Sequence, residues 1–154
     1  MKEKPGIKGK NLYLDSSIFI YHFENNKEFS PYTTTIFNVA EQENAVIGCS
    51  AILFSEITPP IFKTKNKEIL AIYSSLDCSP LFLRIIDLTK EVALKAGSIR
   101  AEYGFSTPDS IHLASAVIGE FDVFITNDKD LLKFKEIPIL PLTKVSLTFN
   151  IIRN

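Results

Sequence analysis

The sequence predicts an α/β fold, and three observations predict it. Short apolar runs alternate along the chain with longer stretches of helical periodicity. The two runs richest in Ile, Val and Phe, at 83–87 and 122–126, do not alternate polar with apolar, which suits strands buried on both faces of a parallel sheet. Caps and breakers such as Pro31, Gly104, Pro108 and Gly119 fall between the runs rather than inside them.

Five runs read as strands: 11–14, 45–49, 83–87, 122–126 and 137–140. Helices fill the gaps. Ser30-Pro31 gives an N-cap followed by proline in the first turn, and Ile36, Phe37, Val39 and Ala40 supply an apolar stripe toward Glu43. Pro59-Pro60 reads as a helix breaker after Glu56, so a separate helix is expected over 61–76. Thr89 caps a helix in which Val92, Ala93, Ala96, Ile99 and Tyr103 share a face and which Gly104 ends. Thr107-Pro108 opens the next, with Ile111, Ala114, Ser115 and Ile118 on one side and Gly119 at its end. Parallel strands joined through helices imply right-handed crossovers. Three regions are expected: a frayed basic leader over 1–10 carrying Lys2, Lys4, Lys8 and Lys10, one domain over 11–142, and a tail over 143–154 that serves as an extra strand or a contact segment.

Composition bounds the function. The chain has 154 residues, 45% hydrophobic and 23% charged, enough for one packed core and too apolar for a disordered chain. Seventeen Lys and Arg against 18 Asp and Glu give a net charge of −1, so nothing in the global charge pulls the chain toward nucleic acid; binding there needs a local basic patch or bridging cations. Cys49 and Cys78 lack metal-ligand spacing and read as free thiols in a reducing compartment, and the only histidines are His22 and His112, too few for a His-rich zinc site. The uncharged stretch 44–55 falls short of the roughly 18 apolar residues that a membrane span needs. No small-residue cleavage site follows the basic leader, so the cytoplasm is the expected location.

In open α/β sheets, sites form at the carboxyl ends of the strands. Asp15 follows the first apolar run and Asp128 the fourth, Glu56 lies in the helical stretch after the second, and Asp109 sits in the first turn of the helix opened by Thr107-Pro108. Taken singly, each has a structural reading: Asp15 and Asp128 as helix caps, Asp109 as a complement to a helix dipole, Glu56 as a solvated side chain. Taken together, carboxylates at one edge repel, by about 4 kcal/mol for a pair at 4 Å and an effective dielectric near 20. Divalent cations relieve that repulsion, and all-oxygen ligation favours Mg²⁺ or Mn²⁺, ions suited to hydrolysis at phosphate.

At these residues the chain resembles the PIN-domain family and, within it, the VapC-type ribonuclease toxins. The matching segments are 12–20 (LYLDSSIFI), 51–57 (AILFSEI), 106–117 (STPDSIHLASAV) and 124–131 (FITNDKDL). The resemblance implies a three-layer α/β/α sandwich with a central parallel five-stranded sheet, and Mg²⁺- or Mn²⁺-dependent hydrolysis of RNA. It also implies a homodimer and a small antitoxin partner. Residue by residue, it implies that Asp15, Glu56, Asp109 and Asp128 hold metal and that Thr126 supplies a hydroxyl which orients water or an acid. Ser16 and Asn127 are supporting groups, and Asp130 is an additional acid read as a helix cap. His112, three residues after Asp109, reads as a packed histidine near the acids, and His22 as packing or surface. Lys63, Lys65, Lys67 and Arg100 are candidate contacts to RNA. Two rivals stay open: the same fold as an RNA- or protein-binding module without cleavage, and a phosphoacceptor receiver domain with Asp87 as its acceptor.

Overall fold

The computed structural model describes residues 10–76 and 83–148. Five strands, β1 (Asn11–Leu14), β2 (Val46–Ser50), β3 (Leu83–Ile86), β4 (Val123–Thr126) and β5 (Ile139–Pro141), form one sheet in the order β3-β2-β1-β4-β5, every pair parallel. This order differs from the 2-1-3-4-5 of receiver domains, so the phosphoacceptor reading fails on topology; Asp87 lies exposed just beyond β3. All five expected strands are present, within a residue or two. The last begins late because Pro138 has no N–H for the ladder and contributes only its carbonyl, which accepts from the Phe124 N–H at 2.9 Å.

Two hydrophobic cores sandwich the sheet, which makes the architecture three-layered. Leu12, Leu14, Ile47 and Ile125 face the first core, where helices α1 (Ser16–Phe23), α2 (Ser30–Glu43), α3 (Ile52–Thr64) and α4 (Lys67–Ser74) pack. Tyr13 and Phe124 face the second, covered by α5 (Lys90–Tyr103) and α6 (Thr107–Ile118). Burial on both faces explains the missing alternation in β4; β3, expected to be buried likewise, is an edge strand with Arg84 exposed and its other residues only half-buried.

Local chemistry sets most boundaries. The Thr89 hydroxyl caps α5 by accepting from the Val92 N–H at 3.2 Å, and Gly104 ends it at φ 73°, in the left-handed region that glycine enters without strain. Ser30 is the first residue of α2 rather than its cap, which is Phe29; Asn26 accepts from the Glu28 and Phe29 N–H groups and forms the turn before it. The expected break at Pro59-Pro60 does not occur: α3 runs through both prolines to Thr64. The carbonyls that lose their helical partners are those of Ser55, an exposed residue, and Glu56, a half-buried one, positions open enough for solvent to take up the missing bonds. The chain turns instead at Lys65, at φ 54°, and Asn66 caps α4. The expected helix over 61–76 is therefore the end of α3 plus α4.

The tail is not a strand where it is described. A 3₁₀ turn (Leu142–Lys144) leads into a short helix α7 (Val145–Thr148) that packs on α2, with Leu142 and Val145 fully buried in the first core. Residues 1–9 of the leader, 149–154 of the tail and Cys78 lie outside the described residues. Among the described residues no helix is long and apolar enough to cross a membrane.

Phe121 locks the β2 side of the second core. A Cβ on Gly48 would lie 2.0 Å from its ring, and one on Gly119 would lie 2.6 Å from the ring and 2.8 Å from the Ser115 carbonyl. Gly48→Ala is therefore expected to cost about 1–3 kcal/mol of unfolding free energy, read from urea denaturation. Gly97→Ala, in open space on α5, is expected to gain roughly 0.4–1 kcal/mol in the same assay. Equal effects at the two positions would show that Phe121 does not fill the notch.

Candidate acidic active site

The strand order reverses between β1 and β4, the switch point at which the carboxyl ends of strands in an open α/β sheet form a crevice. Asp15 follows β1 directly. Its backbone N–H donates to the Ile125 carbonyl at 3.0 Å, which continues the sheet pairing by one residue and holds the side chain at the sheet edge. Asp15 is 7% exposed. One oxygen accepts from the Ser16 N–H at 2.8 Å, capping α1, and the other accepts from the Thr126 hydroxyl at 2.8 Å. Asp15 is thus a helix cap whose carboxylate also stands at the sheet edge, so capping leaves room for the metal role expected of it.

Thr126 is 1% exposed and works in two directions, donating to Asp15 and accepting from the Asp128 N–H at 3.0 Å. The Asp128 carboxylate is exposed and accepts from the Asp130 N–H at 2.9 Å, capping the 3₁₀ turn Lys129–Lys133. The cap is therefore Asp128, not Asp130 as expected; Asp130 lies one step inside the turn and is exposed. Asn127 donates to the Tyr21 hydroxyl at 3.3 Å and fastens this loop to α1.

Asp109 sits in the first turn of α6. Its carboxylate accepts from the Ser106 hydroxyl at 2.6 Å, while the Ser106 oxygen accepts from the Asp109 N–H at 3.2 Å. Glu56, on α3, is 26% exposed and accepts from His112 Nε2 at 2.6 Å. His112 is buried, and its Nδ1 meets the Tyr13 hydroxyl at 2.7 Å.

Electrostatics link what the hydrogen bonds leave separate. Burial pushes the Asp15 carboxyl above the usual aspartate value. The field of His112 and the bonds from Thr126 and the Ser16 N–H pull it down, and the charge of Asp109 pushes it up. Asp15 therefore senses two groups on α6 with which it shares no hydrogen bond. Among the described residues, no three His, Cys, Asp or Glu side chains stand grouped as a metal-ligand set. Asp15 and Asp109 repel, and Glu56 and Asp128 are engaged with His112 and the Asp130 N–H. The donor set nonetheless fits a hard divalent ion, since a buried carboxylate disfavoured by desolvation and by a like charge is stabilised by positive charge.

The remaining candidates fall outside this cluster. Lys63, Lys65 and Lys67 are exposed at the turn from α3 to α4, and Arg100 is exposed in the last turn of α5. Because α3 packs in the first core and α5 in the second, these cations do not form one patch. His22 stacks on Phe37 with ring centres 4.1 Å apart, and burial lowers its pKa, in keeping with a packing role. Cys49 is a free, buried thiol with its pKa pushed up to about 12. The sequence reading missed Tyr13, since a residue inside an apolar run signals only core.

A parallel five-stranded sheet with acids at its carboxyl edge defines an acidic-site α/β protein. The family model for the PIN domain matches residues 12–138, and the chain belongs to the PIN-domain family. A search of curated protein sequences gives no significant match. Among solved structures, it is similar to a VapBC complex of Rickettsia felis bound to a fragment of its promoter DNA, with a TM-score of 0.65 and 19% identity over 85% of this chain and 98% of the other. A toxin–antitoxin complex of Klebsiella pneumoniae aligns with a TM-score of 0.62 and 20% identity, covering 85% and 97%. A VapC toxin of Mycobacterium tuberculosis that cleaves the sarcin-ricin loop aligns with a TM-score of 0.64 and 12% identity, covering 82% and 98%.

Proposed function

We propose that the protein is a divalent-metal-dependent endoribonuclease, the toxin of a toxin–antitoxin pair, acting as a homodimer in the cytoplasm. The observation that carries this reading is Asp15: a nearly buried carboxylate at the β1–β4 crevice, tied to Thr126 and within the field of Asp109. Asp15 and Asp109 would hold Mg²⁺ or Mn²⁺, joined by Glu56 through the carboxylate oxygen that His112 leaves free and by Asp128 turning from the Asp130 N–H. When bound, such an ion supplies positive charge that offsets the scissile phosphate and favours ionisation of water. Thr126 keeps Asp15 and the Asp128 loop in register, the Ser16 N–H fixes the Asp15 rotamer, and Asn127 and the Asp130 N–H hold the loop's shape. Lys63, Lys65 and Lys67 meet the RNA backbone on one layer and Arg100 on the other. The similarity to VapBC complexes supports a small antitoxin as the partner.

Purified protein, incubated with labelled single-stranded RNA and Mn²⁺, is expected to cut internally and to stop when EDTA is added. Asp109→Asn is expected to lower the rate by about 100- to 1,000-fold. Undiminished cleavage in EDTA, or by the Asn variant, would overturn the assignment. Tight RNA binding without metal-stimulated cleavage would identify a binding module instead. Co-expression with the protein encoded by an adjacent small reading frame is expected to yield a complex that does not cleave.

A further inference from the structure

We propose that His112 is a positioning residue of the acidic site: a clamp, braced by Tyr13, that fixes the direction of the Glu56 carboxylate. This rests on the metal-site reading above.

The brace begins in the central strand. The Tyr13 ring is fully buried, stacked on Phe124 with centres 5.0 Å apart and set edge-on against Phe121 at 5.3 Å. A ring so confined holds its hydroxyl at a fixed point. That hydroxyl lies 2.7 Å from His112 Nδ1, and burial keeps the phenol protonated, well above its ordinary pKa. The His112 ring meets the Tyr13 ring edge-on at 6.0 Å and is only 1% exposed, so it too has one orientation. Its Nε2 stands 2.6 Å from Glu56 Oε2. A carboxylate has no hydrogen to give, so Nε2 carries a proton toward Glu56, and Nδ1 shares a hydrogen bond with the Tyr13 hydroxyl; the Nε2 hydrogen follows from the network.

The direction of this chain separates it from ordinary burial of a polar pair. Tyr13 and His112 satisfy each other inside the second core, yet the imidazole goes on to a partly exposed carboxylate on α3, in the opposite helical layer. Glu56 would otherwise be a flexible side chain with three free torsions. Bonded through Oε2, it keeps Oε1 for another partner. The same helix carries Asp109 one turn before His112, so α6 supplies one acid itself and aims a second from α3. Hydrogen-bonded support of this kind is worth roughly 10–100-fold in metal affinity.

The test is calorimetric titration of MnCl₂ into the full-length protein and three variants, with thermal melts alongside. His112→Asn reaches toward Tyr13 but not Glu56, and is expected to weaken Mn²⁺ binding roughly 10–100-fold. His112→Gln places an amide N–H near the Nε2 position and is expected to restore affinity to within about threefold of wild type. Tyr13→Phe keeps the ring packing and removes the brace; it is expected to lose about tenfold. A purely structural histidine would lower Tm in both His112 variants and leave Mn²⁺ affinity alone. Wild-type affinity in His112→Asn, or in Tyr13→Phe where the Asn variant does not fold, overturns the inference. Absence of Mn²⁺ binding by the wild type overturns the metal-site reading, and this inference with it.

Discussion

Asp15→Asn is expected to lose RNA cleavage by about a thousandfold while the chain stays folded and no less stable. The two halves of this result have one cause. The Asp15 charge is buried at a cost, which burial and the charge of Asp109 both raise. An amide removes the charge, and its oxygen still accepts from the Ser16 N–H, since Asn caps helices about as well as Asp. What disappears is the negative charge that would hold a cation, together with the acceptor of the Thr126 hydroxyl, which turns to accept from the amide instead. Tm of the metal-free Asn variant at pH 7 is therefore expected to equal or exceed that of wild type, the stability–activity trade common to functional sites.

The pH dependence has a definite sign. The folded-state pKa of Asp15 lies above its ordinary value, so the stability tied to its protonated form is complete below the ordinary carboxylate pKa and is lost as pH rises through the folded one. The Tm difference, Asp15→Asn minus wild type, is expected to be greatest near neutrality and to shrink on acidification. A melting series that showed the difference growing at low pH would mean that His112, Thr126 and the Ser16 N–H outweigh burial.

Thr126→Val is expected to reduce cleavage roughly 10–100-fold and to cost about 1–3 kcal/mol of stability. The substitution keeps the shape and deletes the hydroxyl. Asp15 then keeps one hydrogen bond in a site with little water, and the Asp128 N–H loses its acceptor. Thr126→Ser retains the oxygen and is expected to recover most of both losses. Urea denaturation together with RNA cleavage assays reads the two effects; a Val variant with wild-type stability and rate would show that the hydroxyl does not organise the site.

The fold was legible because burial on two faces leaves a mark in β4, where Val123, Phe124, Ile125 and Thr126 carry no alternation. The cap at Thr89 and the helix start at Thr107-Pro108 were legible because they depend on neighbours in sequence. Asp15 and Asp128 stood out because each ends an apolar run. What stayed hidden depends on distant parts of the chain. Whether Pro59-Pro60 breaks a helix turns on whether the abandoned carbonyls face water, a matter of how α3 is packed. The strand order is absent from periodicity, and without it nothing brings the Tyr13 hydroxyl to a ring 99 residues away. The pattern after Val145 resembles a strand, but Leu142 and Val145 are drawn into the first core and the chain coils there.

A metal nuclease of this kind requires Asp15 and Asp109 to hold a divalent ion together. Crystals grown with Mn²⁺ and measured at the manganese absorption edge test it most directly. Expected is an anomalous peak in the β1–β4 crevice, ligated by the carboxylates of both residues. A crevice without a peak at saturating Mn²⁺, with Asp15 still bonded to Ser16 and Thr126 and Asp109 still turned to Ser106, would contradict it.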